Sequence, residues 1–191
     1  MAEGTVHPEN DDVIEWVSPT LPATHWTEID DYDPPLAEDF TQAGQTAGDD
    51  NQVDIFNMTT LGSVASVSQI VVYAYGMSVL SGGTPEVDIW WNGDWVSEGD
   101  LSPVWDGSFS WSTRTFAGLE GGQTELDALK VRIRADVTPS KSVNNLASLY
   151  CVVTYEEGVV GYGHDFLGIP AANIDSIMGI PTANIDNICG L

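Results

Sequence analysis

Hydrophobic and polar positions alternate through much of the middle of the chain. Over residues 129–137, Leu129, Val131, Ile133, Ala135 and Val137 alternate with Lys130, Arg132, Arg134 and Asp136. That period of two marks a strand with one buried and one solvated face. Residues 69–79 (QIVVYAYGMSV) are β-branched, aromatic and nearly uncharged, which predicts a central strand buried on both faces. Residues 86–91 run into Asn92-Gly93 and resume at Trp95 and Val96. Asn-Gly between β-rich arms is the strongest short-range hairpin signal. Residues 104–116, with Trp105, Phe109, Trp111 and Phe116, read as a second hairpin, residues 124–129 as a turn or a single helical turn, and residues 148–155 (SLYCVVTY) as the last long strand. Earlier in the chain, His25, Thr27 and Ile29 alternate with Trp26 and Glu28, which places His25 on an edge strand. A Pro-Pro turn and a Gly/Asp loop then lead to Val53, Ile55 and Phe56. Long helical patterns are absent between residues 24 and 157. Short strands joined by Gly, Asp and Pro loops predict an all-β fold, an antiparallel jelly-roll-like β-sandwich over residues 25–157.

The two ends read differently. Residues 1–24 are acidic, contain prolines and have Val13, Ile14, Trp16 and Val17 as their apolar cluster. They predict an extended arm anchored by Trp16, either on its own domain or on a neighbour. Residues 158–191 hold a linker and a tandem repeat of period 11, in which Gly168, Gly179 and Gly190 superpose, as do Asn173 and Asn184. Pro170 and Pro181 open the units and a glycine closes each, the asymmetry of short helical turns. One turn cannot bury its own apolar face. Ile169, Ile174, Ile177, Ile180, Ile185, Ile188 and Leu191 therefore stand as candidate partner-binding residues, docking in cis or in trans.

Charge narrows the choice of partners. The chain of 191 residues has 29 acidic and 5 basic side chains, a formal net charge of −24. Such a surface repels phosphate backbones and anionic lipid, so neither nucleic acid nor membrane is expected as a partner. No 18-residue apolar stretch predicts a membrane helix. The first residues show no basic region followed by an apolar run, which gives an expectation of synthesis in a host cytoplasm. Cys151 sits in an apolar run and Cys189 takes the place of Met178 in the repeat, so both read as small buried hydrophobes.

Catalytic chemistry finds no foothold. His7, His25 and His164 are far apart and none has metal-ligand spacing, and no nucleophile motif or phosphate-cradling loop is present. The reading is therefore of a chain that is not an enzyme, with no catalytic residues, no metal and no cofactor. Asp30, Asp31 and Asp33, with Glu38, Asp39, Asp49, Asp50 and Asp54, offer hard oxygens that could take Ca²⁺, but they lack the glycine and closing glutamate of an EF-hand loop. Lys130, Arg132 and Arg134 project from one strand face, either to pair with acidic neighbours across the sheet or to contact an acidic partner. Seven tryptophans suit sugar stacking, and Trp95 and Trp105 are the candidates for an exposed glycan-binding surface. Core positions and subunit contacts are the competing uses of those rings.

The segment HWTEIDDYDPPLAEDFTQAGQTAGDDNQVDIFNM resembles a stretch of tailed-bacteriophage structural proteins, in which a W-x-x-I-D-E-like run precedes a Thr/Gly/Asp loop and a D-x-F strand. Here Asp31 stands in place of the glutamate. The strands TELDALKVRIRAD and SLYCVVTY, and the terminal I-x-G-I-P-x-A-N-I-D repeat, are similar to closing strands and fibre repeats of such proteins. The resemblance implies a non-enzymatic virion subunit, a head-decoration, fibre or tail-appendage protein, whose partners are copies of itself and other virion proteins. The alternatives are a carbohydrate-binding β-sandwich module that holds a glycan on exposed tryptophans, or a subunit of a non-viral extracellular filament.

Overall fold

The computed structural model describes residues 1–16, 26–29, 41–43, 52–78, 85–135, 143–158, 176–177 and 180–181. It is all-β, with two antiparallel sheets packed as a sandwich. The strands are β1 (Ala2–Val6), β2 (Pro8–Ile14), β3 (Thr41–Ala43), β4 (Val53–Met58), β5 (Val64–Ser78), β6 (Glu86–Trp91), β7 (Asp94–Asp100), β8 (Ser110–Ala117), β9 (Lys130–Arg134) and β10 (Asn144–Glu157). Two short helical segments, α1 (Trp26–Ile29) and α2 (Gln123–Asp127), interrupt them. The first sheet has the order β1-β10-β5-β8, with β3 pairing the far end of β10, and the second has the order β2-β4-β9-β6-β7.

Ala2–Val6 and Pro8–Ile14 are extended and are built one into each sheet. β1 pairs β10 from Val6↔Cys151 to Ala2↔Tyr155, the chain crosses at His7, and β2 then pairs β4. Trp16 ends this passage with 2% of its surface exposed, its Nε1–H donating to the Gln52 carbonyl at 3.0 Å. The carboxylate of Asp54, itself fully buried, accepts the backbone N–H of both Glu15 and Trp16 at 2.9 Å. Trp16 is thus an anchor in cis. A buried carboxylate with its lone pairs taken up by backbone donors is how a charge is tolerated in that setting.

β5 shows how alternation builds the core. Ile70, Val72 and Ala74 are fully buried between the sheets, while Val71, Tyr73 and Tyr75 point to the outside and are half-buried. The expectation of burial on both faces is corrected accordingly: no second layer covers this strand among the described residues, and its outward rings shield one another instead. Phe56, Ile89, Val131 and Ile133 from the second sheet meet Ile70, Phe116, Leu149 and Cys151 from the first in one core cluster. Full burial of each large side chain contributes on the order of 1.5–3 kcal/mol. Cys151 is part of that cluster, and burial pushes its thiol well above its ordinary pKa.

The Asn92-Gly93 hairpin forms as expected. Asn92 and Gly93 have φ of 52° and 79°, the left-handed pair of a two-residue turn between β6 and β7. Residues 104–116 yield one strand, β8, instead of a hairpin; β5 pairs one edge of it, and a single antiparallel bridge joins Thr113 on the other edge to Ser102. Residues 26–29 form a helical turn instead of an edge strand, its first N–H capped by Asp11 at 2.9 Å, and His25 lies outside the described residues. In the tail, β11 (Ser176–Ile177) and β12 (Ile180–Pro181) pair antiparallel across Met178-Gly179, so these four residues are extended where a helical turn was expected. Two extended pairs flanking a glycine satisfy backbone groups that one isolated turn leaves open. The rest of the repeat lies outside the described residues.

Candidate functional site

The expected site residues are dispersed. Trp105 lies in the core, 2% exposed, with its indole packed over Gly76. A Cβ at Gly76 would run into that ring and into the Asn145 carbonyl, which is why a glycine interrupts β5 there. Trp105 therefore offers no ring face to a ligand. Trp95 sits half-buried on the outer face of the second sheet, edge-on to Trp90 with ring centroids 5.5 Å apart, and the Arg132 guanidinium lies 4.2 Å above its ring. Ile177 and Ile180 belong to the small tail hairpin, and Ile169, Ile174, Ile185, Ile188 and Leu191 lie outside the described residues. Of the acidic candidates for Ca²⁺, Asp54 is described and is occupied with backbone donors, and the others lie outside the described residues.

The basic stripe is matched across its own sheet. Arg132 donates to Asp88 at 2.6 Å, Arg134 reaches Asp88 at 3.1 Å and Glu86 at 3.0 Å, and Lys130 meets Asp12 at 2.9 Å. Asp88 stands one strand over on β6, in register with Arg132, and is fully buried beneath the two guanidinium groups. Between the two readings of this stripe, cross-strand pairing is the one the register produces.

An arrangement that the sequence reading did not single out occupies the outer face of the first sheet. The register sets Tyr150 of β10 beside Tyr73 of β5, and Tyr75 of β5 beside Trp111 of β8. Phe109, just before β8, and His7, just after β1, extend this cluster at its two ends. Tyr73 and Tyr150 stack at 4.7 Å with 4° between their planes. Trp111 lies 5.2 Å from Tyr75 and 5.4 Å from Tyr150, tilted to the first by 46° and to the second by 74°. Tyr75 meets Phe109 at 5.5 Å and His7 stands 6.4 Å from Tyr150. The spacings are those of favourable aromatic pairs, each worth about 0.5–1.5 kcal/mol. The rings brace one another into a continuous strip that crosses the strands.

The strip holds no carboxylate, lysine or arginine among the described residues. The neighbouring row of outward positions is Thr5, Val152, Val71 and Thr115, and Thr113 stands beside Tyr73. On the β1 side, the first carboxylate along the described rows is Glu3, a further row away and opposite Thr154. The four basic side chains among the described residues are elsewhere: three on the second sheet, and Arg114 reaching toward Glu98 and the Asp100 carbonyl. In a chain of net charge −24, a face made of aromatic rings, threonines and valines is a selective feature. It can take a partner by stacking and by neutral hydrogen bonds.

No family model matches the chain, and no curated protein matches it. Among solved structures it is similar, at 12% identity and a TM-score of 0.41, to the CBM36-1 domain of a multidomain xylanase from the hindgut metagenome of Trinervitermes trinervoides, with 81% of this chain and 98% of that one covered. It is also similar to the C-terminal CBM6 of LamC, a marine laminarinase from Zobellia galactanivorans, at 10% identity and a TM-score of 0.42 over 80% of this chain and 100% of that one. A third likeness, at 13% identity and a TM-score of 0.37 over 65% and 84% of the two chains, is to the N-terminal cellulose-binding domain of Cellulomonas fimi β-1,4-glucanase C.

Proposed function

We propose that this chain is a non-catalytic binding module that holds a neutral polysaccharide on the outer face of its first sheet. The observation that carries the reading is the uncharged aromatic strip of Phe109, Tyr75, Trp111, Tyr150 and Tyr73 in an otherwise strongly acidic protein. A pyranose ring presents an apolar C–H face and a rim of hydroxyls. Among the described residues no parallel ring caps Trp111, so its indole can take that C–H face, and the hydroxyls of Tyr75 and the nearby threonines can exchange hydrogen bonds with the rim. Successive rings about one sugar unit apart suit a chain laid across the strands better than a single small ligand. The test is electrophoresis of the full chain through gels containing hydroxyethylcellulose, xylan, laminarin or starch. Retardation by at least one of them, lost in Trp111→Ala, is the expected result.

The same face also favours a second reading, a virion or filament subunit, because an uncharged face is where two copies of a −24 chain meet with least repulsion. Light scattering separates the two. No retardation in any gel, together with an oligomer that Trp111→Ala dissociates, would replace the glycan reading with self-assembly.

A further inference from the structure

A second recessed surface lies beside the β6–β7 turn, on the second sheet. Trp90, Asn92, Gly93, Thr124, Glu125 and Ala128 line a depression of about 320 Å³. That is near the lower end of the roughly 300–1,000 Å³ usual for small-ligand sites, so it suits one ring and not a chain. We infer that this depression is a separate site for a single neutral monosaccharide unit, such as the end of a glycan chain.

Each wall supplies one element of sugar recognition. The Trp90 indole is fixed edge-to-face by Trp95, which in turn carries the Arg132 guanidinium on its ring, so an aromatic wall is held in place before any ligand arrives. Glu125 uses Oε2 to accept the Gly122 N–H at 2.8 Å, which orients the carboxylate and leaves Oε1 as an acceptor for a sugar hydroxyl. Asn92 donates its side-chain N–H to the Glu120 carbonyl at 2.7 Å, which fixes its amide and leaves Oδ1 as a second acceptor. Thr124 is exposed and adds a hydroxyl that can donate or accept. Gly93 has open space where a Cβ would stand, so the turn does not fill the depression.

The chemistry selects against charge of one sign. A carboxylate acceptor beside an aromatic wall repels uronic, sialic and sulfated sugars and accepts hydroxyl donors. A ligand amine would be the other chemistry to satisfy Glu125, and the test includes it. This inference does not rest on the aromatic strip of the first sheet, since no residue is shared between the two.

The experiment follows the indole N–H signals of the ¹⁵N-labelled full chain by NMR, with glucose, galactose, mannose and xylose as probes and glucosamine as the cationic comparison. Trp90 is expected to shift saturably with at least one neutral sugar. The shift should persist in Trp111→Ala, which disables only the strip, and vanish in Thr124→Phe, which fills the depression from an exposed position. Glu125→Gln keeps the Gly122 cap on its one oxygen and turns the ligand-facing atom into an N–H donor, so it should weaken the response several-fold. The inference is overturned if no neutral sugar moves Trp90, if glucosamine alone does, or if Trp111→Ala abolishes the response. Loss of polysaccharide retardation with the Trp90 response intact would sink the first-sheet reading and leave this one standing.

Discussion

Replacing Asp88 by alanine isolates what the basic stripe is for. In the wild type, Asp88 Oδ2 receives Arg132 Nε at 2.7 Å, Arg132 Nη2 at 2.6 Å and Arg134 Nη2 at 3.1 Å, and the carboxylate has no exposed surface. Removing one partner of a fully buried ion pair costs about 3–5 kcal/mol, because the remaining charge is stranded. Two features lower that figure here. The Arg132 and Arg134 side chains are 22% and 29% exposed and can recover water, and Arg134 keeps Glu86 at 3.0 Å. A loss of about 2–3 kcal/mol is therefore expected, which for a chain of this size lowers Tm by roughly 5–10 °C. Urea unfolding followed by tryptophan fluorescence measures it, with an unchanged denaturant slope as the sign that only the native state was altered. Asp88→Asn, which keeps shape and one acceptor, should lose less. A loss under about 0.5 kcal/mol for Asp88→Ala would place the pair in the class of surface bridges that contribute little, and would refute the argument that the cations are committed within the sheet.

Three further outcomes follow from single contacts. Trp111→Ala should weaken polysaccharide binding by at least about tenfold, close to 1.4 kcal/mol, as truncation of a central aromatic contact does, and equal affinity of mutant and wild type in calorimetry would refute its role. Gly76→Ala sets a methyl group against Trp105 and the Asn145 carbonyl, so thermal unfolding should show a loss of about 1–3 kcal/mol, and a neutral effect would mean that the indole is free to move. Asp127 is held below the ordinary aspartate pKa by hydrogen bonds first from Thr60 and then from Gln123. A lowered folded pKa stabilises the fold above the unfolded value and loses that contribution as pH falls through the folded one. Thr60→Val should accordingly move the Asp127 midpoint upward in a carboxylate NMR titration, and an unmoved midpoint would remove Thr60 as the cause.

Much of the scaffold was legible because strands write a period of two. β9 and the Asn92-Gly93 hairpin could be read residue by residue, since a half-buried strand and a left-handed turn each demand particular residue types at fixed positions. The aromatic strip was not legible because the run that holds it carries almost no charge. Tyr73 and Tyr75 lie in a run with so little charge that both faces look buried, and only the pairing with β8 and β10 shows that their side points outward. Trp105 misled in the opposite direction. A tryptophan at the start of an expected hairpin suggests an exposed ring, whereas the missing side chain of Gly76, some thirty positions earlier, opens the slot that receives it. The strip and the slot both depend on contacts distant in sequence, which a periodicity does not encode.

The distribution of charge makes one more demand on the proposed function. If the first-sheet face binds a neutral chain by stacking and neutral hydrogen bonds, no counterions are released and no field steers the encounter. Affinity should then stay level as sodium chloride is raised from well below to well above physiological strength, despite a net charge of −24. Self-association through the same face behaves differently, because bringing two such chains together is opposed by repulsion that salt relieves. Affinity electrophoresis and light scattering at matched salt concentrations therefore give opposite signatures: a flat response belongs to a glycan ligand, and a response that strengthens steeply with salt belongs to assembly. A polysaccharide affinity that fell with added salt would fit neither, and would show that charged groups outside the strip take part in binding.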